Sequence, residues 1–368
     1  MKVDFQDNLG AAGVPTIQTN RAENFYRDLK SDVFKYLADN NMRPKGSTKM
    51  YNKIMIIMLG WLASYAFMLT MTSVAPGYIF FGLPGMVFFM LCMQLAVMHD
   101  GSHQTVSENK TLNTLAAWTL AVAGASPYTW YQLHCVAHHN NTNIFGMDMD
   151  TETSNIIRLH RGNKLFWYQK WQHIYAWPLY ALHTARYLLL DDIVELATNR
   201  WKLNRQQKIK TFWEILVIKT WHLSCYVLLP LLFGGSLKYI LMFWLIHWMT
   251  MSFFVTITFN LAHVTNVQNL PLHKSETSKD WAIHQLDTTA DFAVANGFLS
   301  WVIGGLNFQV EHHIFPNVCH LHYPAIQKIV KRHCQEKGVT YHEYPTVKEA
   351  VWDHYRHLKR LGKSPNLA

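Results

Sequence analysis

Charge is scarce in this chain. Only 15% of its 368 residues are Asp, Glu, Lys or Arg, while 50% are hydrophobic. That balance is apolar for a protein living in water. Cysteine is scarce too, with five residues scattered at Cys92, Cys135, Cys225, Cys319 and Cys334. They form no CxxC pair, which excludes a disulfide framework and Fe–S ligand spacing and suits a reducing compartment on at least one side. HExxH is absent, which argues against a zincin protease. The first fifty residues are polar and hold no signal-peptide apolar core, so membrane insertion must use internal segments. No internal repeat or low-complexity tract occurs. The net charge of +9 comes without an Arg-rich or RNP-like motif, so no nucleic-acid partner is expected. Beside long apolar runs, anionic lipid headgroups are the better partner.

Those runs are what the chain has in place of charge. A membrane span needs about 20 apolar residues. Four segments qualify, at about 54–75, 78–98, 215–233 and 237–262. Pro76 and Gly77 turn the chain between the first two, and "GGS" turns it between the last two. Two shorter stretches, 112–128 with Gly124 and Pro127, and 292–308 with Gly297, Gly304 and Gly305, read as interfacial or re-entrant. Lys219, near the start of the third run, reads as a snorkelling lysine. The expected organisation is a cytosolic segment 1–50, a membrane domain 51–314 and cytosolic helices over 315–368. If only the four long runs span, as two hairpins, both termini and all the histidine clusters share one face. The two short turns hold only Lys238, which makes the clustered face cytoplasmic. The expected fold is all-α and integral to the membrane, with four transmembrane helices and a cytosolic helical cap.

Histidine is the outlier, with 21 copies. A solvated surface has little use for so many titratable rings, so metal or heme binding is expected. Four groups stand out. "HDGSH" places His99 and His103 four apart, on one helical face. "HCVAHH" places His134, His138 and His139 within six residues. His263 ends the fourth apolar run. "QVEHH" supplies Gln309, His312 and His313. Each group follows an apolar segment and so sits at a membrane boundary. Neutral imidazole suits iron, zinc and copper. Eight such rings exceed the needs of one ion and suffice for two. Zinc sites are usually four-coordinate, so an overfull, nearly all-nitrogen set favours redox iron. Asp100, Asp148, Asp150 and Glu311 lie beside the clusters, as do Asn140 and Asn143. They can orient ligating rings or serve as caps and loop residues. His247 lies inside the fourth run and too far along the helix to join the cluster. It reads as a packing histidine or as a group at the far end of a substrate tunnel.

The three boxes "HDGSH", "HCVAHH" and "QVEHH" resemble those of the membrane fatty acyl desaturases. The glutamine that opens the third box is similar to the front-end branch, which acts between an existing double bond and the carboxyl end. The resemblance covers about residues 80–325, including "GMDMD" and "HIFPNVCHLHYPAI". It implies four spans and a cytosolic di-iron cap. It also implies O2-dependent removal of two hydrogens from an acyl chain carried as acyl-CoA or acyl lipid. By the resemblance the metal ligands are His99, His103, His134, His138, His139, His263, His312 and His313, with Gln309 a weak or second-sphere ligand. Some members hold a metal-bound water with an asparagine four residues before the counterpart of His263. Phe259 stands there in this chain, with Asn260 one step off as the second-shell candidate. No HPGG heme motif occurs, so electrons are expected from a separate cytochrome b5 or ferredoxin with its reductase, and a bacterial inner membrane is favoured over endoplasmic reticulum. The acyl tunnel is expected between the spans, near residues such as Phe88, Met93 and Trp248. A hydroxylase or acetylenase on the same scaffold is the nearest alternative. A b-type cytochrome or a zinc-containing receptor-like protein is the non-desaturase alternative.

Overall fold

Four helices are long and apolar enough to cross a membrane: Thr48–Val74, Pro76–Ser102, Arg205–Leu232 and Leu237–His263. They are seen in a computed structural model that describes residues 24–148, 151, 155–186, 190–199, 202–278 and 280–364. Asp150 lies outside the described residues. The first helix begins at Thr48, ahead of its apolar run, and the second continues through "HDGS" to Ser102. Backbone hydrogen bonding does not stop where hydropathy does, so the spans carry their ladders into the cap.

Tight turns pair the spans: the first helix ends at Val74 and the second begins at Pro76, and Gly234–Gly235 separates the third from the fourth. The second span is the most enclosed of the four. Met86, Met90, Met93 and Ala96 from it pack with Ile57, Trp61, Phe243 and Trp248 in one apolar core. The lipid-facing side is left bare, with Met55, Ile56, Leu59, Val217 and Leu232 exposed.

The two shorter apolar stretches do not span. Residues 112–128 break into Lys110–Ala117, Leu120–Ala123 and Pro127–Trp130. The break falls at Gly124, whose φ of 87° is in the left-handed region and whose missing Cβ would stand 2.8 Å from His222 Cγ of the third span. Lys219 does not snorkel to the surface. Its ammonium donates to Gly124 O at 2.6 Å and to Asp192 Oδ2 at 3.0 Å. Ser126 completes the junction, its N–H donating to Asp192 Oδ2 and its hydroxyl to Glu214 Oε1. A re-entrant turn is thus pinned to the third span immediately before the second histidine box.

Residues 292–308 hold the short helix Gly297–Val302 and then a left-handed pair, Gly304 and Gly305. A Cβ on Gly304 would stand 2.3 Å from Leu95 O and 2.6 Å from Ala96 Cα. Backbone meets backbone there, which brings the third box against the first. Upstream, Asp291–Phe292 pairs in parallel with Glu343–Tyr344, the one two-stranded sheet among the described residues.

The cap is helical. Phe25–Asp39 buries Phe25, Leu29, Val33 and Leu37, a stripe at spacing four, against Ile326, Ile329, Val330 and Cys334 of Tyr323–Lys337. This contact packs the first described helix against the helix that follows the third box.

Candidate metal centre

The second span is π-helical over Met93–Met98, directly before His99, and the second box lies on a π-helical stretch, Tyr131–His138. π-helical winding is rare and is found at functional sites. In an α-helix a residue five further on is turned about 140° away. The wider π winding closes that angle, so His134 and His139 can share a face, and their Nε2 atoms are 3.3 Å apart.

All eight histidines named from the sequence converge, and all are buried. His99, His103, His134 and His312 form one group whose ligand atoms lie within 4.8 Å of one another. His138, His263 and His313 form a second group by the same measure. His139 meets His312 and His313 in a third group and links the two. His99 Nε2 is 3.2 Å from His134 Nε2. Two nitrogens bound to one ion at about 2.0–2.1 Å stand about 3.0–3.4 Å apart, so the ring–ring spacing is that of a ligand edge.

The rings are held from outside by their Nδ1 atoms. His138 Nδ1 donates to the Asp148 carboxylate at 3.0 Å, and Asp148 Oδ2 accepts the Asn143 N–H at 2.7 Å. His313 Nδ1 donates to Gln285 Oε1 at 2.8 Å. His263 Nδ1 points at Thr288 O, 3.4 Å away. His312 Nδ1 lies 3.2 Å from the Tyr323 hydroxyl. This arrangement leaves the Nε2 atoms of His312 and His313 aimed inward, buried and without a hydrogen-bond partner among the described residues. An unsatisfied buried polar group costs about 1–3 kcal/mol. A cation at each group removes that cost, so the residues present fit a pair of metal ions. Burial first, then the neighbouring rings, hold His134, His139, His312 and His313 well below the usual imidazole range, and burial lowers His103 to about 4. Neutral rings with free lone pairs are what a metal needs.

The expected outer residues divide. Asp148 orients a box histidine. Asp100 instead accepts a 2.7 Å hydrogen bond from His320 Nδ1. Glu311 turns away from the centre toward Asp291 and the Tyr341 hydroxyl, where burial and then Asp291 raise its carboxyl well above the usual range. Asn260 folds back on its own helix, donating to Thr256 O at 3.0 Å. The ring of Phe259 lies 5.7 Å from that of His134. Gln309 sits with its amide 2.9 Å from His263 Nε2. Asn140 is exposed and donates to Val136 O, while Asn143 is buried and donates to His263 O at 2.9 Å. Sequence reasoning missed Gln285, Thr142, Tyr323 and the backbone carbonyl of Thr288. None lies in a box, and no spacing pattern marks them. His247 stays apart, packed among Phe243, Tyr226 and Trp248. His222, the other span histidine in this bundle, is tied to Val122 O and to the Trp244 indole N–H. Both ring nitrogens of His222 are thus engaged within the protein.

A four-helix membrane bundle topped by two adjoining multi-histidine groups defines an integral-membrane metalloenzyme. The fatty acid desaturase family model matches residues 78–345, and the chain belongs to that family. It is 33% identical to the sn-1 linoleoyl-lipid 6-desaturase of Synechocystis sp. (strain ATCC 27184 / PCC 6803 / Kazusa) over 95% of this chain and 98% of that one. It is 31% identical to the acyl-lipid (8-3)-desaturase of Physcomitrium patens, over 92% of this chain and 72% of the relative. It is 30% identical to acyl-lipid (8-3)-desaturase B of Dictyostelium discoideum, over 93% and 76%. The protein is a fatty acyl desaturase, an oxidoreductase acting on a fatty acyl chain.

Proposed function

We propose that this chain is a front-end acyl-lipid desaturase with a di-iron centre, placing a cis double bond between an existing one and the carboxyl end. The observation that carries the metal assignment is the pair of adjoining histidine groups with inward, unpartnered Nε2 atoms on His312 and His313. The glutamine-led third box and the 6- and (8-3)-desaturase relatives support the regioselectivity.

His99, His103, His134 and His312 would hold one iron, and His138, His263 and His313 the other, with His139 between them. Gln309 is a weak ligand or a hydrogen-bonding neighbour of His263; its amide oxygen and nitrogen can exchange places. When bound, the irons supply electron storage and O2 activation, which hydrogen removal from an unactivated methylene requires. The chain's own part is positioning. Asp148, Gln285, Tyr323 and Thr288 O fix ring orientation, and burial of all eight rings keeps bulk water from the centre. An apolar groove of about 350 Å³ between the second and fourth spans, lined by Leu83, Val87, Phe88, Leu91 and Phe254, faces the bilayer and suits an acyl chain arriving laterally. Electrons would come from a separate cytochrome b5 or ferredoxin with its reductase. The scarcity of Lys and Arg in the short turns supports a cytoplasmic active site.

The test is metal content of protein purified from iron-fed cells, with lipid profiling of a host supplied with linoleoyl lipid. About two irons per chain and a new double bond on the carboxyl side of the existing ones are expected. Zinc or heme in place of iron, or a double bond on the methyl side, overturns the respective part of the reading.

A further inference from the structure

Asp100, Cys319 and His320 form a fourth buried group of metal-ligand type. It lies outside the eight-histidine centre, and its geometry argues against a third ion. Lys53, from the first span, sets its ammonium 2.8 Å from His320 Nε2. A lysine ammonium has donors only, so His320 Nε2 accepts. The ring proton is then on Nδ1, which donates to Asp100 Oδ2 at 2.7 Å. Cys319 Sγ adds a weak 3.6 Å contact to the same oxygen. Lys53, His320 and Asp100 are all buried, and the Lys53 ammonium lies 5.3 Å from the Trp301 ring centre. A cation at this group would face an ammonium. The three side chains are instead a closed bridge in which one neutral imidazole joins a buried ammonium to a buried carboxylate.

The bridge connects three parts of the chain. Lys53 belongs to the first span, Asp100 follows His99 of the first box, and His320 lies seven residues beyond the third box. A second tie runs alongside, from Cys319 N–H to Pro44 O at 2.8 Å. The rings of His99 and His312, one from each joined box, have centroids 4.5 Å apart. From this placement we infer that Lys53 and His320 are positioning residues of the metal centre, which act through Asp100 to hold the first box against the third. The inference rests on the metal reading and adds residues that touch neither iron nor substrate. It also gives a reason for a buried lysine at the cap end of the first helix, where an ammonium without a partner would be costly.

The experiment compares His320→Gln with His320→Leu. The two replacements are close in size, but only glutamine can accept from Lys53 and donate to Asp100. Each full-length variant is purified in detergent, its helical circular dichroism checked, and its metal counted. The visible spectrum of the cobalt-loaded form is recorded as a signature of ligand geometry. His320→Gln is expected to keep two metals and the parental spectrum. His320→Leu is expected to keep the ion at His138, His263 and His313 and to bind the other about 10–100-fold more weakly, the range for lost outer support. Should His320→Leu not fold, the pair Lys53→Met with Asp100→Asn, which leaves no unpaired buried ion, is expected to show the same selective loss. Two metals at parental affinity in the leucine variant, or in that pair, overturn the inference while leaving the metal reading intact. A folded glutamine variant that fails as leucine does also overturns it. A parent with three ions places one at Asp100, Cys319 and His320 and overturns the bridge. A parent with none overturns the metal reading, and the inference with it.

Discussion

The two halves of the histidine centre are built differently. In the half formed by His138, His263 and His313, each Nδ1 meets an oxygen from outside the cluster: Asp148, Thr288 O and Gln285 respectively. In the half formed by His99, His103, His134 and His312, the rings also meet one another directly. His99 touches His134, His134 touches His139, and Trp130 stacks on His134 at 4.4 Å. The Tyr323 hydroxyl lies 3.2 Å from His312 Nδ1. The first design fixes orientation before a metal arrives. The second relies on helix geometry, on the Lys53–His320–Asp100 bridge and on the metal itself. Orientation set by hydrogen bonds raises metal affinity without adding a ligand.

The largest effect expected from this contrast is at His312, which belongs to the ring-to-ring half and also to the linking group with His139 and His313. His312→Ala should lose both metals and all desaturation, whereas His138→Ala should lose one metal and keep the other in the ring-to-ring half. Metal counts on the two purified variants decide it; loss of a single metal from both would show halves that do not share a ligand.

Next comes the outer support of the pinned half. Asp148→Ala should weaken metal binding by about 10–100-fold, read by chelator competition. Tyr323→Phe removes the weaker contact of the other half and should cost less than about 10-fold in the same assay. Equal losses in the two variants would break the comparison.

The smallest effect concerns histidines away from the metal. Burial lowers His160 and His354 to about 4, from an ordinary value of 6.5. Their folded forms are neutral, while the unfolded chain takes up protons once the pH falls below about 6.5. Their contribution is therefore full above about 6.5 and is lost progressively as the pH falls toward about 4. Thermal melts should drop by several degrees between about pH 7.5 and pH 5, and a His354→Gln variant should drop less. A pH-independent difference between variant and parent would remove His354 from that account.

Much of the fold was legible because its signals are local. Each long apolar run became a helix, since about 20 apolar residues in sequence leave the backbone no other way to satisfy itself in lipid. The spacing of His99 with His103 put that pair on one face for the same local reason, whereas the second box owes its arrangement to π-helical winding that the spacing did not reveal. The outer residues were harder to read. Asp100, Glu311 and Asn260 all sit beside box or span-end histidines in sequence, yet their side chains turn to His320, to Asp291 with Tyr341, and to Thr256 O. Sequence adjacency does not settle direction, because neighbouring residues on a helix point to different sides. Lys219 was misread for a related reason. Its partners, Gly124 O and Asp192, come from segments 95 and 27 residues away.

The sequence by itself determined the class of the protein: four spans, histidines at their ends, an excess of neutral ligands and a membrane desaturase's box order. The spans, the placement of the histidines and the excess of ligands follow from hydropathy, helical period and residue chemistry, which act over a few turns of chain; the box order was legible through the resemblance to the membrane desaturases. Only the tertiary structure decided which ring faces which, what holds each Nδ1, and where the buried charges go. Gln285 reaches His313 across 28 residues, and Lys53 reaches His320 across 267. Contacts of that kind have no local signature. They exist because burying a polar group without a partner is costly, and the partner is whichever group packing brings within about 3 Å.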